Sequence, residues 1–262
     1  MEMRGMMGGF YRICEWIMRL AAINVLWVIC SLPFCFLALF MLQVKTVEEF
    51  STNLIMMGAV APFTLFPATT AMFTVARKWV MGDADVPLFK TYFRGYKDNY
   101  KYSMFGGLFY MAVVVILIIN YMFYHKQSGI MQLLSILFLI FFVLLAVAIL
   151  HFFSILSHFH MKFWQVIKNS FLITIGRPVV SVMMLVSVAA IGFISFQPKF
   201  TFLIMFFMGS VIAFVCFFYF NRIYQKTQDM LDREQRRAEE EAEAEAERLK
   251  LSEHADNPND RQ

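Results

Sequence analysis

The sequence predicts an all-α protein: a polytopic transmembrane helix bundle of six spans, with two cytoplasmic amphipathic interfacial helices and a charged C-terminal helix. Three observations lead there. Apolar side chains make up 60% of the 262 residues and charged ones only 16%, a balance far from that of a water-soluble domain. The charges gather at the N-terminus, in two internal stretches and in the tail, leaving long segments without Asp, Glu, Lys or Arg. A bilayer core needs about 20 apolar residues of helix, and the runs at 21–43, 54–77, 103–124, 130–156, 178–196 and 200–220 meet that length.

Charge sets the orientation. The links at 43–53, 125–129 and 197–199 carry one basic residue each, Lys45, Lys126 and Lys199. The opposite side holds Arg4, Arg12, Arg19, Arg77, Lys78, Lys90, Arg94, Lys97, Lys101, Lys162, Lys168 and Arg177. Positive charge stays inside, so both termini are predicted to be cytoplasmic. The domain reading follows: a cytoplasmic N-terminal segment at 1–20, a six-span membrane domain at 21–220 and a cytoplasmic charged helical tail at 221–262. A re-entrant hairpin in place of the last two spans would look similar, since only 196–200, with Pro198, separates them. The first apolar run is longer than the core of a signal peptide, and no small-residue cleavage site follows it.

The second span opens with Thr46 and Glu49, spaced as a capping box, and is expected to run to Arg77 and Lys78. Its interior holds Pro62 and Pro67, each of which removes a backbone donor and tends to kink a helix. Ala68, Thr69, Thr70 and Ala71 follow on a surface of small residues. Close helix packing and a hinge or broken helix exposing carbonyls to a solute both fit this pattern.

The link after that span begins with Asp85 as a helix cap and Pro87 in the first turn. At 100° per residue Lys90, Arg94, Lys97 and Lys101 fall on one stripe, opposite Leu88, Phe89, Tyr92, Phe93, Tyr96 and Tyr100. The fourth link repeats the design, with Phe163, Trp164, Ile167 and Phe171 facing away from Lys162 and Lys168. Both helices suit the membrane surface, where anionic lipid headgroups are the expected partner, or a cytosolic protein could dock on them. A shift of 71 positions lays Lys97 to Tyr100 over Lys168 to Phe171, which suggests two parallel span-helix-span units. The basic excess sits beside apolar spans and not on a compact domain with stacking aromatics, so nucleic acid is not expected.

Three stretches together resemble one family: NVLWVICSLPF at 24–34, PATTAMFTVARKWVMGDAD at 67–85 and FKTYFRGYKDNYK at 89–101. They are similar to the YesL family of bacterial integral membrane proteins, across roughly 10–220. The resemblance implies a small helical bundle in the bacterial cytoplasmic membrane. It also implies an accessory link to carbohydrate uptake or degradation, with subunits of carbohydrate ABC importers or a sensor kinase as partners. Phe66 stands where the family pattern has a glycine before Pro67, and the acidic tail is an addition to it.

No enzyme is predicted. The spans hold no carboxylate and no lysine, whereas catalysis needs tuned acid–base groups or an activated nucleophile. Cys14, Cys30, Cys35 and Cys216 lack zinc-site spacing, and His151 and His158, two helical turns apart, have no carboxylate companion. No catalytic residue, metal or cofactor is therefore expected. Ion-coupled transport would place an ionisable residue at membrane depth, and that signal is missing. The leading expectation is a non-enzymatic membrane accessory or scaffold. The alternative is an independent small-solute permease using Asn24, Ser31, Thr64, Thr69, Thr70, Asn120, Ser135, Ser181 and Ser187. The tail from 221 to 252 lacks Pro and Gly and is rich in helix formers, so a solvated single helix is expected, ending before Asn257 and Pro258.

Orientation is directly testable. In a chain freed of its native cysteines, a cysteine at Ser128 should react with an impermeant maleimide outside intact cells, and one at Thr91 should not. Reversed labelling would invert the topology.

Overall fold

The computed structural model describes the backbone of residues 6–255 and the side chains of residues 9–243. Arg4 and the expected end of the tail helix lie outside the described residues. The chain divides into two compact units, Met1–Phe220 and Asn221–Gln262. All regular structure among the described residues is helical: α1 (Met6–Cys30), α2 (Leu32–Phe40), α3 (Val47–Val60), α4 (Leu65–Val80), α5 (Leu88–His125), α6 (Ile130–His158), α7 (Phe163–Gly176), α8 (Pro178–Ser195) and α9 (Gly209–Ala255). A 3-10 turn at Met41–Gln43 follows α2, and a π-helical turn at Ile204–Met208 precedes α9.

Five stretches are long and apolar enough to cross a membrane: Gly9–Cys30, Leu88–His125, Ile130–His158, Pro178–Ser195 and Ile204–Glu243. The bent pair α3 and α4 makes a sixth if it is counted as one span. Large side chains such as Ile119, Leu133, Ile136, Val186 and Phe193 remain exposed on them. So much open apolar surface marks a face for lipid. The protein is a multi-spanning helical membrane bundle.

Two of the apolar runs expected to cross are divided between helices. The apolar run at 21–43 is divided between the end of α1 and α2, because Pro33 near the start of α2 has no N–H with which to continue α1. Alone, Leu32–Gln43 is too short to cross, and the membrane-length stretch shifts to Gly9–Cys30. The next run starts at Thr46, whose Oγ1 accepts from Glu49 N at 3.2 Å. Glu49 reaches back to Lys45 N at 3.0 Å instead of Thr46 N, so the box is displaced by one residue. At Pro62 this run breaks, and α3 and α4 meet at 54°.

The two breaks lie side by side. Trp27 Nε1 donates to Thr69 Oγ1 at 3.0 Å and Trp16 meets Trp79 edge-on at 5.4 Å, so α1 and α4 run antiparallel. Trp27 is one turn before the end of α1, and Thr69 is one turn after the start of α4. Beyond the breaks, α2 and α3 form a hairpin pinned by Asn53, whose Nδ2 donates to Leu37 O at 3.0 Å.

At the centre sits α4. Phe66, Pro67, Ala68, Thr70, Ala71, Met72, Phe73, Val75, Ala76 and Trp79 are all buried, as expected of a helix enclosed on all sides; α1, α5 and α6 surround it. Small residues let α5 come close. A Cβ on Gly107 would lie 2.7 Å from Pro62 Cα, inside any normal contact, and Thr70 and Ser103 share a hydroxyl hydrogen bond at 2.6 Å nearby.

The cationic segment before the third crossing is not a separate helix. It is the first part of α5, continuous through His125. Pro87, not Asp85, occupies the cap position, because Asp85 instead accepts from Arg19 Nη2 at 2.8 Å. The fourth link differs: α7 stops at Gly176 and α8 starts at Pro178. The two segments aligned by the 71-residue shift therefore join their following spans differently.

Asn24 holds the last crossing together. Fully buried, its Nδ2 donates to Met205 O at 2.6 Å and Ile204 O at 3.2 Å, while its Oδ1 accepts from Ser210 N at 2.9 Å. The two carbonyls belong to the π-helical turn, where the ordinary helical ladder is out of register, and Ser210 follows it at the start of α9. In the second unit α9 remains helical through Ala255, and every side chain described from 228 to 243 is exposed.

Replacing Asn24 with Leu leaves that backbone unpaired in an apolar interior, at a cost of about 1–3 kcal/mol. Gly107→Ala should cost a similar amount by overpacking, about 1–3 kcal/mol. Gly58→Ala, where nothing lies within 4 Å of the added atom, should be neutral or stabilising by up to about 1 kcal/mol. Thermal unfolding in detergent would rank the three. A wild-type midpoint for Asn24→Leu would show that the π-helical turn does not need this side chain.

Candidate functional site: a cationic cavity

The C-terminal ends of α4 and α6 and the N-terminal end of α5 enclose a cavity of about 510 Å³. Arg77, near the end of α4, reaches across to α6, and its Nη1 donates to Ser157 O at 2.8 Å and His158 O at 3.3 Å. A cation at a helix C-terminus offsets the negative end of the dipole and satisfies carbonyls that have no partner in their own helix. Arg77 Nε is buried without a hydrogen-bond partner among the described residues.

The loop from α4 to α5 forms another wall. Arg19 of α1 fixes it, donating to Ala84 O at 2.5 Å and pairing with Asp85 and with Glu15 on its own helix. Lys78 faces Asp83 at 3.5 Å and Arg94 faces Asp98 at 3.5 Å. On α5, Lys90 and Arg94 line the cavity, whereas Lys97 and Lys101 of the same stripe do not. His158 and His160 contribute at the α6 end, the His158 ring lying 5.9 Å from Phe217.

The depth of the wall depends on how closely α4 and α5 approach. A Cβ on Gly95 would lie 2.8 Å from the Thr74 side chain. Tyr92 OH donates to Ala68 O at 3.1 Å. Pro67 cannot donate to Phe63 O, its partner four residues back, and Tyr100 OH takes that carbonyl at 3.3 Å. Thr69 and Thr70 turn their hydroxyls onto Leu65 O and Phe66 O, and Ala68 and Ala71 are fully buried. Pro62 lies in the turn between α3 and α4, against Gly107.

Of the cations singled out in the sequence, the cavity thus collects Lys90 and Arg94. It leaves Lys97, Lys101, Lys162 and Lys168 exposed elsewhere, the last two on the cap and body of α7. Arg77, Lys78, Asp83, Asp98, His158 and His160 join the site without having been proposed for it. Their signal was present only as the basic pair ending one helix and the histidines ending another. His151 is buried beside Ser181 Oγ at 3.4 Å, away from this cavity. Among the described residues no group of three or more His, Cys, Asp or Glu could hold a metal. A second cavity of about 190 Å³, between α5 and α6, is lined by Leu117, Ile118, Phe138, Leu139, Phe142 and Tyr121.

The family model described as "Protein of unknown function, DUF624" matches residues 20–121, the stretch from within α1 to near the end of α5. Three proteins of Bacillus subtilis strain 168 are similar over most of their length. "Uncharacterized protein YesL" is 29% identical over 79% of this chain and 85% of its own. "Uncharacterized protein YteU" is 29% identical over 82% of this chain and 84% of its own. "Uncharacterized protein YesV" is 25% identical over 83% of this chain and 92% of its own. No solved structure matches. The chain is a homologue of the YesL family, the proteins of unknown function grouped as DUF624.

Proposed function

We propose that this protein is a non-enzymatic accessory or scaffold of the bacterial cytoplasmic membrane serving carbohydrate uptake, with both termini in the cytoplasm. What supports a scaffold over a permease is the use made of the polar groups within the spans. Every residue that could have lined a solute path is engaged within the bundle. Asn24 holds the π-helical turn. Ser31, Thr64, Thr69, Thr70, Asn120 and Ser135 each donate to a carbonyl three or four residues back in their own segment. Ser181 donates to Thr174 O, and Ser187 meets Tyr219 OH. Asn24, Thr69, Thr70, Ser181 and Ser187 bond across to another helical segment, and such bonds hold helices together.

In this reading the charged end of the bundle is the working surface. Lys97 and Lys101 on α5, with Lys162 and Lys168 at α7, form an interfacial surface for anionic headgroups. The charged helix from 221 onward extends as a solvated cytoplasmic element. Subunits of a carbohydrate ABC importer or a sensor kinase are the proposed protein partners. The link to carbohydrate uptake rests on the resemblance to the YesL family, and the scaffold role on the packing.

Purification from native membranes distinguishes the two classes. A scaffold should bring down importer subunits or a kinase in stoichiometric amounts and give liposomes no permeability to sugars beyond that of protein-free controls. Saturable sugar flux by the isolated protein would establish the permease instead.

A further inference from the structure

We infer that the cavity between α4, α5 and α6 is a binding site for a phosphate monoester dianion. This goes beyond the scaffold reading and does not depend on it. At about 510 Å³ the cavity falls in the range of small-molecule sites, roughly 300–1,000 Å³.

Its charge inventory is unbalanced in one direction. Arg77, Lys78, Lys90 and Arg94 line it against Asp83 and Asp98. Lys78 and Arg94 face those two carboxylates, which leaves Arg77 and Lys90 without a carboxylate partner among the described residues. Like charges gathered on one cavity repel, and a ligand bearing two negative charges balances the remainder. The two existing pairs, each at 3.5 Å between part-exposed or exposed groups, are individually weak and can yield to a stronger acceptor.

Geometry points to phosphate among anions. A phosphate monoester offers three terminal oxygens to several donors at once, and arginine and lysine are its usual partners. Arg77 is fixed by its two bonds to α6 carbonyls, so its position costs little further ordering. Its Nε is buried and unpartnered. The first turn of α5, whose cap position is Pro87 with no side-chain hydrogen bond, adds the positive end of a helix dipole to the same cavity. Lys45 and Lys126, exposed and outside both the cavity and the headgroup surface, supply a charge-matched control.

The phosphate could belong to a soluble molecule or to a lipid headgroup. The full chain in an uncharged detergent, titrated with inorganic phosphate by calorimetry, tests the first source. The chain in phosphatidylcholine nanodiscs containing phosphatidic acid, followed by native mass spectrometry of retained lipid, tests the second. At least one probe should bind saturably. Lys90→Gln with Arg94→Gln should weaken that binding tenfold or more, and Lys45→Gln with Lys126→Gln less than twofold. Both cavity residues are exposed, so folding should survive; Lys90→Gln alone, expected to weaken binding at least threefold, serves if the double variant unfolds. Binding in detergent would identify a soluble ligand, and retention of phosphatidic acid alone a lipid. Equal losses from the two pairs, no loss from the cavity pair, or no saturable binding of either probe would overturn the site.

Discussion

A helix that stops inside a bilayer leaves carbonyls and amides with no water to satisfy them, and each one costs several kcal/mol if abandoned. That constraint organises this bundle. Several departures from the backbone ladder are met by a side chain from another helix: Asn24 at the π-helical turn, Tyr100 at Phe63 O before α4 and Arg77 at the carbonyls that end α6. These bonds link segments far apart in sequence, such as 24 with 205 and 77 with 157. The irregularities of the chain are consequently its tertiary connections. Tyr100 thereby ties the turn before α4 to α5.

The same economy separates the two ends of the bundle. Where α5 and α6 carry their apolar stretches, exposed side chains such as Ile119, Phe123, Leu133 and Ile140 meet lipid, and the cavity between them is apolar. Where α4 ends and α5 begins, charges crowd together and leave room for a ligand. The charges around the cavity are thereby gathered at one end, and hydroxyls farther along the helices bond to carbonyls within the bundle.

Much of the architecture was legible because its signals are local. Long runs without charge announce membrane helices, and Thr46 with Glu49 announces a helix start whatever the remainder of the chain does. The stripe of Lys90, Arg94, Lys97 and Lys101 could be read from periodicity alone. What the sequence did not disclose depends on partners distant along the chain. Asp85 looks like a cap until Arg19 claims it. Periodicity assigns one face to all four cations, but only the position of α6 decides that two of them border a cavity and two do not. Arg77 reads as a topology signal, since its role needs the end of a helix eighty residues away. Breaks at Pro33 and Pro62 were harder to place because proline within an apolar run can bend a helix or end it, and the neighbours decide which.

The continuity of α5 has a mechanical consequence. Its 38 residues make a rod of about 57 Å at 1.5 Å per residue, nearly twice the thickness of a bilayer core, roughly 30 Å. Lys90 and Arg94 at one end and Tyr121 at the other therefore belong to one stiff lever with no joint between them. Small rotations at the charged end become larger displacements at the far end, where α5 lies against α6 among lipid tails. In α7 and α8 the break at Arg177 removes that leverage, so of the two cationic helices only the first can carry a movement the full depth of the membrane.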